Sequence, residues 1–166
     1  MTPIPRNFES TDTAWVLALN ELHAVELSAL SEAQLITLIQ GAIHTRVIDE
    51  RAGFMIALDQ AGDNDSPNFK WFKDRLDHFV YVDRIVISAS HRGLGLARCL
   101  YEDLFHHAAR RGYDRVVCEV NSDPPNPGSD AFHQALGFTV MGSATLEDRG
   151  KSVRYMALDL TDRQRP

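Results

Sequence analysis

Residues 92–97, Arg-Gly-Leu-Gly-Leu-Ala, combine two glycines with the beginning of a helical pattern. A β-branched apolar run precedes them over residues 85–87, and Leu96, Leu100 and Leu104 follow at helical spacing. The first N–H groups of a helix have no partner within the helix, and glycine lets an anion approach the backbone. This segment could therefore bind a pyrophosphate, but a glycine pair is also a common way to turn into a helix. The residues alone leave both interpretations open.

Glu119 is a second residue that could do chemistry, because it interrupts the apolar run Val-Val-Cys-Glu-Val at residues 116–120. Period-two alternation along a strand places Glu119 on one face with Val117, and Cys118 on the other face. Carboxylates are seldom buried unless they are paired. Glu119 is therefore either a structural carboxylate, bonded to a neighbouring strand or an arginine, or a group with a chemical role.

The histidines and cysteines lack the spacing of a metal site. His106 and His107 are adjacent on a predicted helix and point in different directions, so they make no i, i+4 pair of ligands. Cys99 and Cys118 have neither metal-ligand spacing nor the pattern of a disulfide framework. We expect both thiols to pack in apolar surroundings and expect no metal.

The elements that must position these residues are predicted to form one mixed sheet with helices. Apolar runs rich in β-branched residues predict strands near residues 4–8 and over residues 43–49, 54–58, 78–87, 115–121, 138–146 and 152–160. With Ser129 as the N-cap of the last helix, caps and spacing predict helices over residues 14–25, 32–41, 96–110 and 130–136. The strand–helix–strand order over residues 83–121 is a βαβ unit, so its two strands should be parallel.

Two connecting segments bear on the site. A tight turn through residues 51–53 is expected to join the second and third strands. Residues 68–76 set three aromatic side chains among basic ones without a clear period. These aromatic residues could line a substrate mouth, cover the core or meet a second subunit, which makes a homodimer one expectation.

The composition is that of one globular domain. At 166 residues the chain can bury a core of its own, which we expect over residues 8–160 of a single domain spanning residues 1–166. A net charge of −6 argues against a broad nucleic-acid-binding surface. The N-terminus has no signal-peptide pattern and no apolar run reaches membrane-spanning length, so we expect no membrane partner and a cytoplasmic location.

Two motifs resemble those of one family. Residues 92–97 match the Gln/Arg-x-x-Gly-x-Gly/Ala signature of the GNAT superfamily of N-acetyltransferases. Residues 126–138, Asn-Pro-Gly-Ser-Asp-Ala-Phe-His-Gln-Ala-Leu-Gly-Phe, look like its Asn-x-x-Ala-x-x-Phe-Tyr-x-x-x-Gly-Phe element. With the order of elements, the resemblance covers roughly residues 8–160. It implies a mixed α/β (α+β) fold, with a central, mostly antiparallel sheet, one parallel splayed strand pair and flanking helices.

The resemblance also implies acetyl-CoA as the donor substrate. In the family, backbone groups of the strand before the glycine loop pair with the pantetheine arm, and loop amides hold the pyrophosphate. A family asparagine contacts the same arm. Carried over to this chain, the cofactor-binding residues are Ile85, Val86, Ile87, Arg92, Gly93, Leu94, Gly95, Leu96, Ala97 and Asn126.

The implied chemistry needs a base for the amine and an acid for the leaving thiolate. Glu119 stands where a branch that acetylates protein N-termini has a catalytic glutamate. Asp83 is the rival base, unless it only forms an ion pair with a nearby arginine or a turn contact. His133 replaces the family's tyrosine acid. Its imidazolium could protonate the thiolate, or His133 could only pack while water or Tyr81 serves instead.

These residues lead to one expected function and one alternative. We expect an acetyl-CoA-dependent N-acetyltransferase in which a primary amine attacks directly in a ternary complex. The amine could belong to a small molecule, a protein N-terminus or a lysine. The alternative is a non-catalytic acyl-CoA-binding module, which the missing tyrosine keeps open. A nucleotide-binding βαβ protein fits poorly, because the third glycine and the Lys-Ser/Thr of a phosphate loop are lacking.

Overall fold

A seven-stranded sheet organises the structure, a computed structural model that describes residues 3–25 and 27–161. The strand order is β1-β2-β3-β4-β5-β7-β6. The strands are β1 (Arg6–Asn7), β2 (His44–Ile48), β3 (Gly53–Asp59), β4 (Val80–Ile87), β5 (Arg115–Asp123), β6 (Thr139–Leu146) and β7 (Lys151–Asp159).

The helices are α1 (Thr13–Leu22), α2 (Glu32–Gly41), α3 (Pro67–Lys73), α4 (Leu96–Arg110) and α5 (Pro127–Leu136). Ser31 caps α2 as expected, because its side chain accepts a hydrogen bond from Gln34 N and the Gln34 side chain bonds back. The first helix stops at Leu22 and does not continue to Val25. The predictions for α2 and α4 are confirmed, the last predicted helix is present as α5 with an earlier start, and α3 was not predicted.

Strands β4 and β5 are parallel, as the βαβ order predicted, and every other neighbouring pair is antiparallel. The pairing of β4 with β5 extends over two positions, Val80 opposite Val116 and Tyr81 opposite Val117. Beyond them the two strands diverge. A mixed, mostly antiparallel sheet with one splayed parallel pair and flanking helices confirms the expected fold.

A β-bulge lies where β4 leaves β5. In the β3–β4 ladder, Ile56 faces Arg84 and Ala57 faces Val82, so Asp83 is the extra residue. A bulge bends its strand and increases the local twist. The bend at Asp83 thus begins directly after Tyr81, the last β4 residue that pairs with β5, and this accounts for the gap between the two strands.

The residues left unassigned by sequence form helix α3, with Pro67 at its first position and Ser66 as its cap. Phe69 and Phe72 are almost fully buried against the sheet. Trp71 stacks on Tyr155 with ring centroids 4.1 Å apart. These aromatic rings therefore cover the core, the second of the three expectations for this segment.

The connection between β2 and β3 also differs from the prediction. Its central residues are Glu50 and Arg51, both at positive φ, and Gly53 already belongs to β3. Positive φ at both central residues is the backbone of a type I′ hairpin turn. Gly53 has a different role, since a Cβ there would lie 2.7 Å from the Val86 carbonyl oxygen of β4.

Candidate active site

A cleft of about 1140 Å³ opens where β4 and β5 diverge. It brings together many residues singled out from the sequence although they come from β4, the glycine loop, β5 and α5. The candidate site residues that line it are Asp83, Ile85, Val86, Ile87, Arg92, Glu119, Asn126 and His133. The rest of the glycine loop, from Gly93 to Ala97, leads from Arg92 into α4.

One wall of the cleft is the free backbone edge of β4. Residues 85–87 pair with β3 on one side, and among the described residues the other side has no strand partner. Backbone N–H and C=O groups left on such an edge can pair with an extended, amide-bearing ligand. The expected contact of Ile85, Val86 and Ile87 with a pantetheine arm is therefore sterically available.

The glycine loop has the geometry of an anion site at a helix N-terminus. Gly93 and Gly95 have φ values of 80° and 77°, a conformation that glycine adopts without strain. A Cβ added to either residue would meet no described atom within 4 Å, so space lies open beside the backbone. Gly95 is the N-cap of α4, and the first amides of that helix follow it.

Asn126 begins helix α5 beside the cleft. Its side-chain oxygen accepts a hydrogen bond from Ser129 N at 3.3 Å, so Asn126 and not Ser129 is the N-cap. The helix consequently starts at Pro127, three residues before the predicted start. Because the cap occupies the oxygen, the Asn126 side chain can meet a ligand through its amide N–H groups.

Glu119 lies two residues past Val117, the last β5 residue paired with β4, and its side chain is partly exposed to the cleft. Tyr81 Oη donates to both carboxylate oxygens, at 3.0 Å from Oε1 and 2.8 Å from Oε2. Asn68 Nδ2 donates to Oε1 at 3.1 Å. The carboxylate is thus held by neutral donors, and the described structure places no cation on it.

The surroundings of Glu119 make it a stronger base than an ordinary carboxylate. Burial raises the pKa of Glu119 from 4.5 to about 7, and the negative charge of Asp83 acts in the same direction. Hydrogen bonds from Tyr81 and Asn68 oppose this rise. At neutral pH the side chain is therefore divided between its acid and base forms, as a general base requires.

Asp83 occupies the matching position on β4, two residues past Tyr81, but its carboxylate is paired with a cation. Oδ2 accepts from Arg84 Nε at 2.7 Å, and Oδ1 accepts from Asn64 Nδ2 at 2.8 Å. The side chains of Asp83 and Arg84 are each 7% exposed. Asp83 therefore makes the ion pair that was its alternative role, and it is less free than Glu119 to receive a proton.

His133 is buried on α5 with both ring nitrogens occupied. Nδ1 lies 2.7 Å from the Ser129 carbonyl oxygen, to which it must donate, and Nε2 lies 2.8 Å from Tyr101 Oη. In the neutral ring Nε2 then accepts the tyrosine proton. Burial lowers the pKa of His133, which favours the neutral ring. This arrangement is unfavourable for an imidazolium that protonates a thiolate.

A family model supplies the identification. The model described as the acetyltransferase (GNAT) family matches residues 38–138, which include β4, the glycine loop, Glu119 and the Asn126 segment. The chain belongs to the GNAT family. A comparison with curated protein sequences gives no match.

Solved structures with the same fold include several GNAT proteins at low sequence identity. Ard1 from Thermoplasma volcanium aligns with a TM-score of 0.76 and 14% identity, over 96% of this chain and 98% of its own. The ribosomal-protein-S18-alanine N-acetyltransferase of Escherichia coli gives 0.68 and 17%, over 96% and 94%. A phosphinothricin acetyltransferase from Sinorhizobium meliloti, in complex with acetyl-CoA, gives 0.68 and 20%, over 96% and 89%. These likenesses show the GNAT fold.

The sequence did not reveal Asn68, Tyr101 and Tyr155, which bond to candidate residues of this GNAT site or to their partners. Asn68 was placed in an unassigned segment, although Ser66 followed by Pro67 is a helix-start signal that could have located it. Tyr101 and Tyr155 looked like ordinary apolar positions of a helix and a strand. Their hydroxyl partners come from other elements, so periodicity could not predict them.

The described part of the GNAT chain has no helix long and apolar enough to cross a membrane. Across residues 3–25 and 27–161, three or more His, Cys, Asp or Glu side chains are nowhere grouped as metal ligands.

Proposed function

We propose that this GNAT protein is an acetyltransferase that moves the acetyl group of acetyl-CoA to a primary amine by direct attack in a ternary complex. The observation that carries the proposal is Glu119 beside the splayed strands. It is a partly exposed carboxylate with a pKa near 7, in the same cleft as a free strand edge and close to a helix N-terminus that suits an anion.

The residues of the cleft fit acetyl-CoA as the donor substrate, whose thioester supplies the activated acetyl group. The free edge of β4 at Ile85, Val86 and Ile87 would pair with its amide-bearing arm. The loop amides from Arg92 to Ala97 would hold the pyrophosphate, where open space surrounds Gly93 and Gly95. Asn126 would donate from its amide group. The acetyl-CoA complex of a protein with the same fold supports this assignment.

Glu119 would remove the proton that an ammonium group must lose before its nitrogen can attack a carbonyl carbon. The nitrogen forms the new amide bond, the C–S bond breaks, and the thiolate takes up a proton. Because burial lowers the pKa of His133 and both of its ring nitrogens are bonded, we assign this last proton to water in the cleft. Asp83 would act at a distance, since its charge helps to keep the pKa of Glu119 high.

The acceptor is assigned only as a primary amine. One protein with this fold is named for an alanine of a ribosomal protein, and another is named for phosphinothricin. The two names stand for two classes of acceptor, a protein terminus and a small molecule. Both classes belong in a test. The experiment measures thiol release from acetyl-CoA over a panel of small amines, peptide N-termini and lysine peptides. We expect turnover with at least one class and a loss of about 100-fold or more in Glu119→Gln.

Two results would count against this function. Tight coenzyme A binding without turnover on any amine would favour the alternative, a non-catalytic acyl-CoA-binding module. Equal turnover by wild type and Glu119→Gln would remove Glu119 from the mechanism. Thermal unfolding of the variant separates a catalytic loss from a folding defect.

A further inference from the structure

Asn68 links the proposed base to a second strand of the sheet. Its side chain is buried, with 4% of the residue exposed. Nδ2 donates to Glu119 Oε1 at 3.1 Å, while Oδ1 accepts from Tyr155 Oη at 2.9 Å. Tyr155 of β7 lies directly opposite Glu119 of β5 in the antiparallel ladder. The three side chains therefore form a closed link between β5, β7 and α3.

The Glu119 carboxylate fixes which way the Asn68 amide faces, and the Tyr155 hydroxyl supplies the matching donor to the amide oxygen. If the amide were turned over, its NH₂ group would meet Tyr155, and its oxygen would meet the Glu119 carboxylate. Two acceptors in contact repel each other when the carboxylate is charged. The orientation with Nδ2 on Glu119 satisfies all three groups, so Tyr155 acts on the carboxylate through Asn68.

The fold holds Asn68 firmly in this place. Ser66 caps α3, and its oxygen accepts from Asn68 N at 3.3 Å. The neighbouring Phe69 is 1% exposed and Phe72 is fully buried, which anchors the short helix to the sheet. A side chain on so fixed a helix can hold a carboxylate oxygen in one direction.

The two oxygens of Glu119 have different donors. Asn68 Nδ2 donates to Oε1, whereas the single hydroxyl proton of Tyr81 lies between both oxygens, with its shorter contact, 2.8 Å, to Oε2. The Asn68 bond reaches Oε1 alone, so together with the Tyr81 hydroxyl it fixes the orientation of the carboxylate in the cleft.

We propose that Asn68 is a positioning residue for Glu119, holding Oε1 through its amide and so fixing the orientation in which the carboxylate meets the acceptor amine. This inference rests on the proposed function, in which Glu119 is the base. Asn68 acts through the carboxylate and need not touch either substrate. A donor lost from the carboxylate also weakens the stabilisation of its charged form.

The test replaces Asn68 by Ala and follows two quantities. The first is the pKa of Glu119 in the free protein, from the carboxylate band in isotope-edited infrared titration. The second is kcat/KM for acetyl transfer as a function of pH. We expect the Glu119 pKa and the rising limb of kcat/KM to move up together by about one unit. The loss should be about fivefold at pH 7 and mostly recovered at pH 9.

Further variants control for damage to α3. Lys70→Ala changes an exposed residue of the same helix and should leave both quantities unchanged. Tyr155→Phe should move them in the same direction as Asn68→Ala but by less, because the amide is retained and only the hydrogen bond to its oxygen is lost. In a Glu119→Gln background, Asn68→Ala should cost little further rate.

The outcomes separate this inference from the proposed function. A Glu119 pKa that is the same in wild type and Asn68→Ala, or a rate loss equal at every pH, overturns the positioning role while acetyl transfer stands. Wild type that acetylates no amine overturns the function. The infrared titration then still decides whether Asn68 controls the carboxylate.

Discussion

At the scale of single residues, the cleft contains two carboxylates on neighbouring strands in contrasting surroundings. Asp83 is bonded to Arg84 and Asn64, whereas Glu119 is bonded to the neutral Tyr81 and Asn68. Pairs of titratable groups with different surroundings divide the roles of a site between them. Here the difference favours Glu119 over Asp83 as the proposed base, and Asp83 contributes negative charge that helps to raise the pKa of Glu119.

The pH dependence of acetyl transfer should report Glu119 and not His133. Because the base form is needed, kcat/KM should rise about tenfold per pH unit below the Glu119 pKa of about 7 and level off above it. A profile measured with an amine that does not titrate in this range provides the check. His133→Gln should keep this shape. If His133 were the acid, kcat/KM would instead fall as the imidazolium loses its proton.

At the scale of elements, the donor side of the cleft depends on where β4 bends and where α4 begins. The bulge at Asp83 exposes one edge of β4, and two glycines at positive φ turn the chain into α4. Both features leave backbone N–H or C=O groups available to a ligand. The ligand can therefore be bound by the backbone, without a particular side chain. This explains how a chain with a net charge of −6 can offer a local site for an anion.

Gly95 and Gly112 give a matched pair for testing the glycine loop. Both have positive φ and open space at the Cβ position, at opposite ends of α4, so Leu at either should cost roughly 1–2 kcal/mol of stability. Gly95→Leu should also raise the Kd for coenzyme A by about tenfold or more. Calorimetric titration of both variants measures this. Equal Kd values for the two variants would remove the loop from the donor site.

At the scale of the whole molecule, the proposed base lowers stability at neutral and alkaline pH. A carboxyl group with a raised pKa in the folded state favours folding below its unfolded pKa of 4.5. That contribution is lost as pH rises through the folded pKa of about 7. The full loss is about 3 kcal/mol, because each pKa unit corresponds to about 1.4 kcal/mol.

Glu119→Gln should therefore have a higher free energy of unfolding than wild type at pH 8. The two proteins should be nearly equal at pH 4, where Glu119 is protonated in both the folded and the unfolded state. Urea denaturation at both pH values measures the difference. Glu21→Gln, a change at an exposed residue of α1, serves as the control and should follow wild type. Lower stability of Glu119→Gln at pH 8 would make Glu119 a structural carboxylate.

Most of the fold could be predicted from the sequence, including the elements that line the proposed donor site. Alternation and helical spacing located the strands and four helices, and the βαβ order fixed the parallel pair. The segment at residues 68–76 could not be assigned, because its aromatic residues pack on the sheet through contacts remote in sequence. The start of α5 was misplaced, because Asn126 and Ser129 are both good caps and only the backbone decides between them.

By itself, the sequence determined the glycine loop, the order of the elements and the candidate residues, since these depend on local conformation and periodicity. The tertiary structure decided which candidates can act. Asn68 forms hydrogen bonds with Glu119, which lies 51 residues away in the sequence, and with Tyr155, which lies 87 residues away. His133 forms a hydrogen bond with Tyr101, 32 residues away in the sequence, and burial lowers the pKa of His133. Such contacts are set by strand register and helix docking, and the resulting burial sets the pKa of each group.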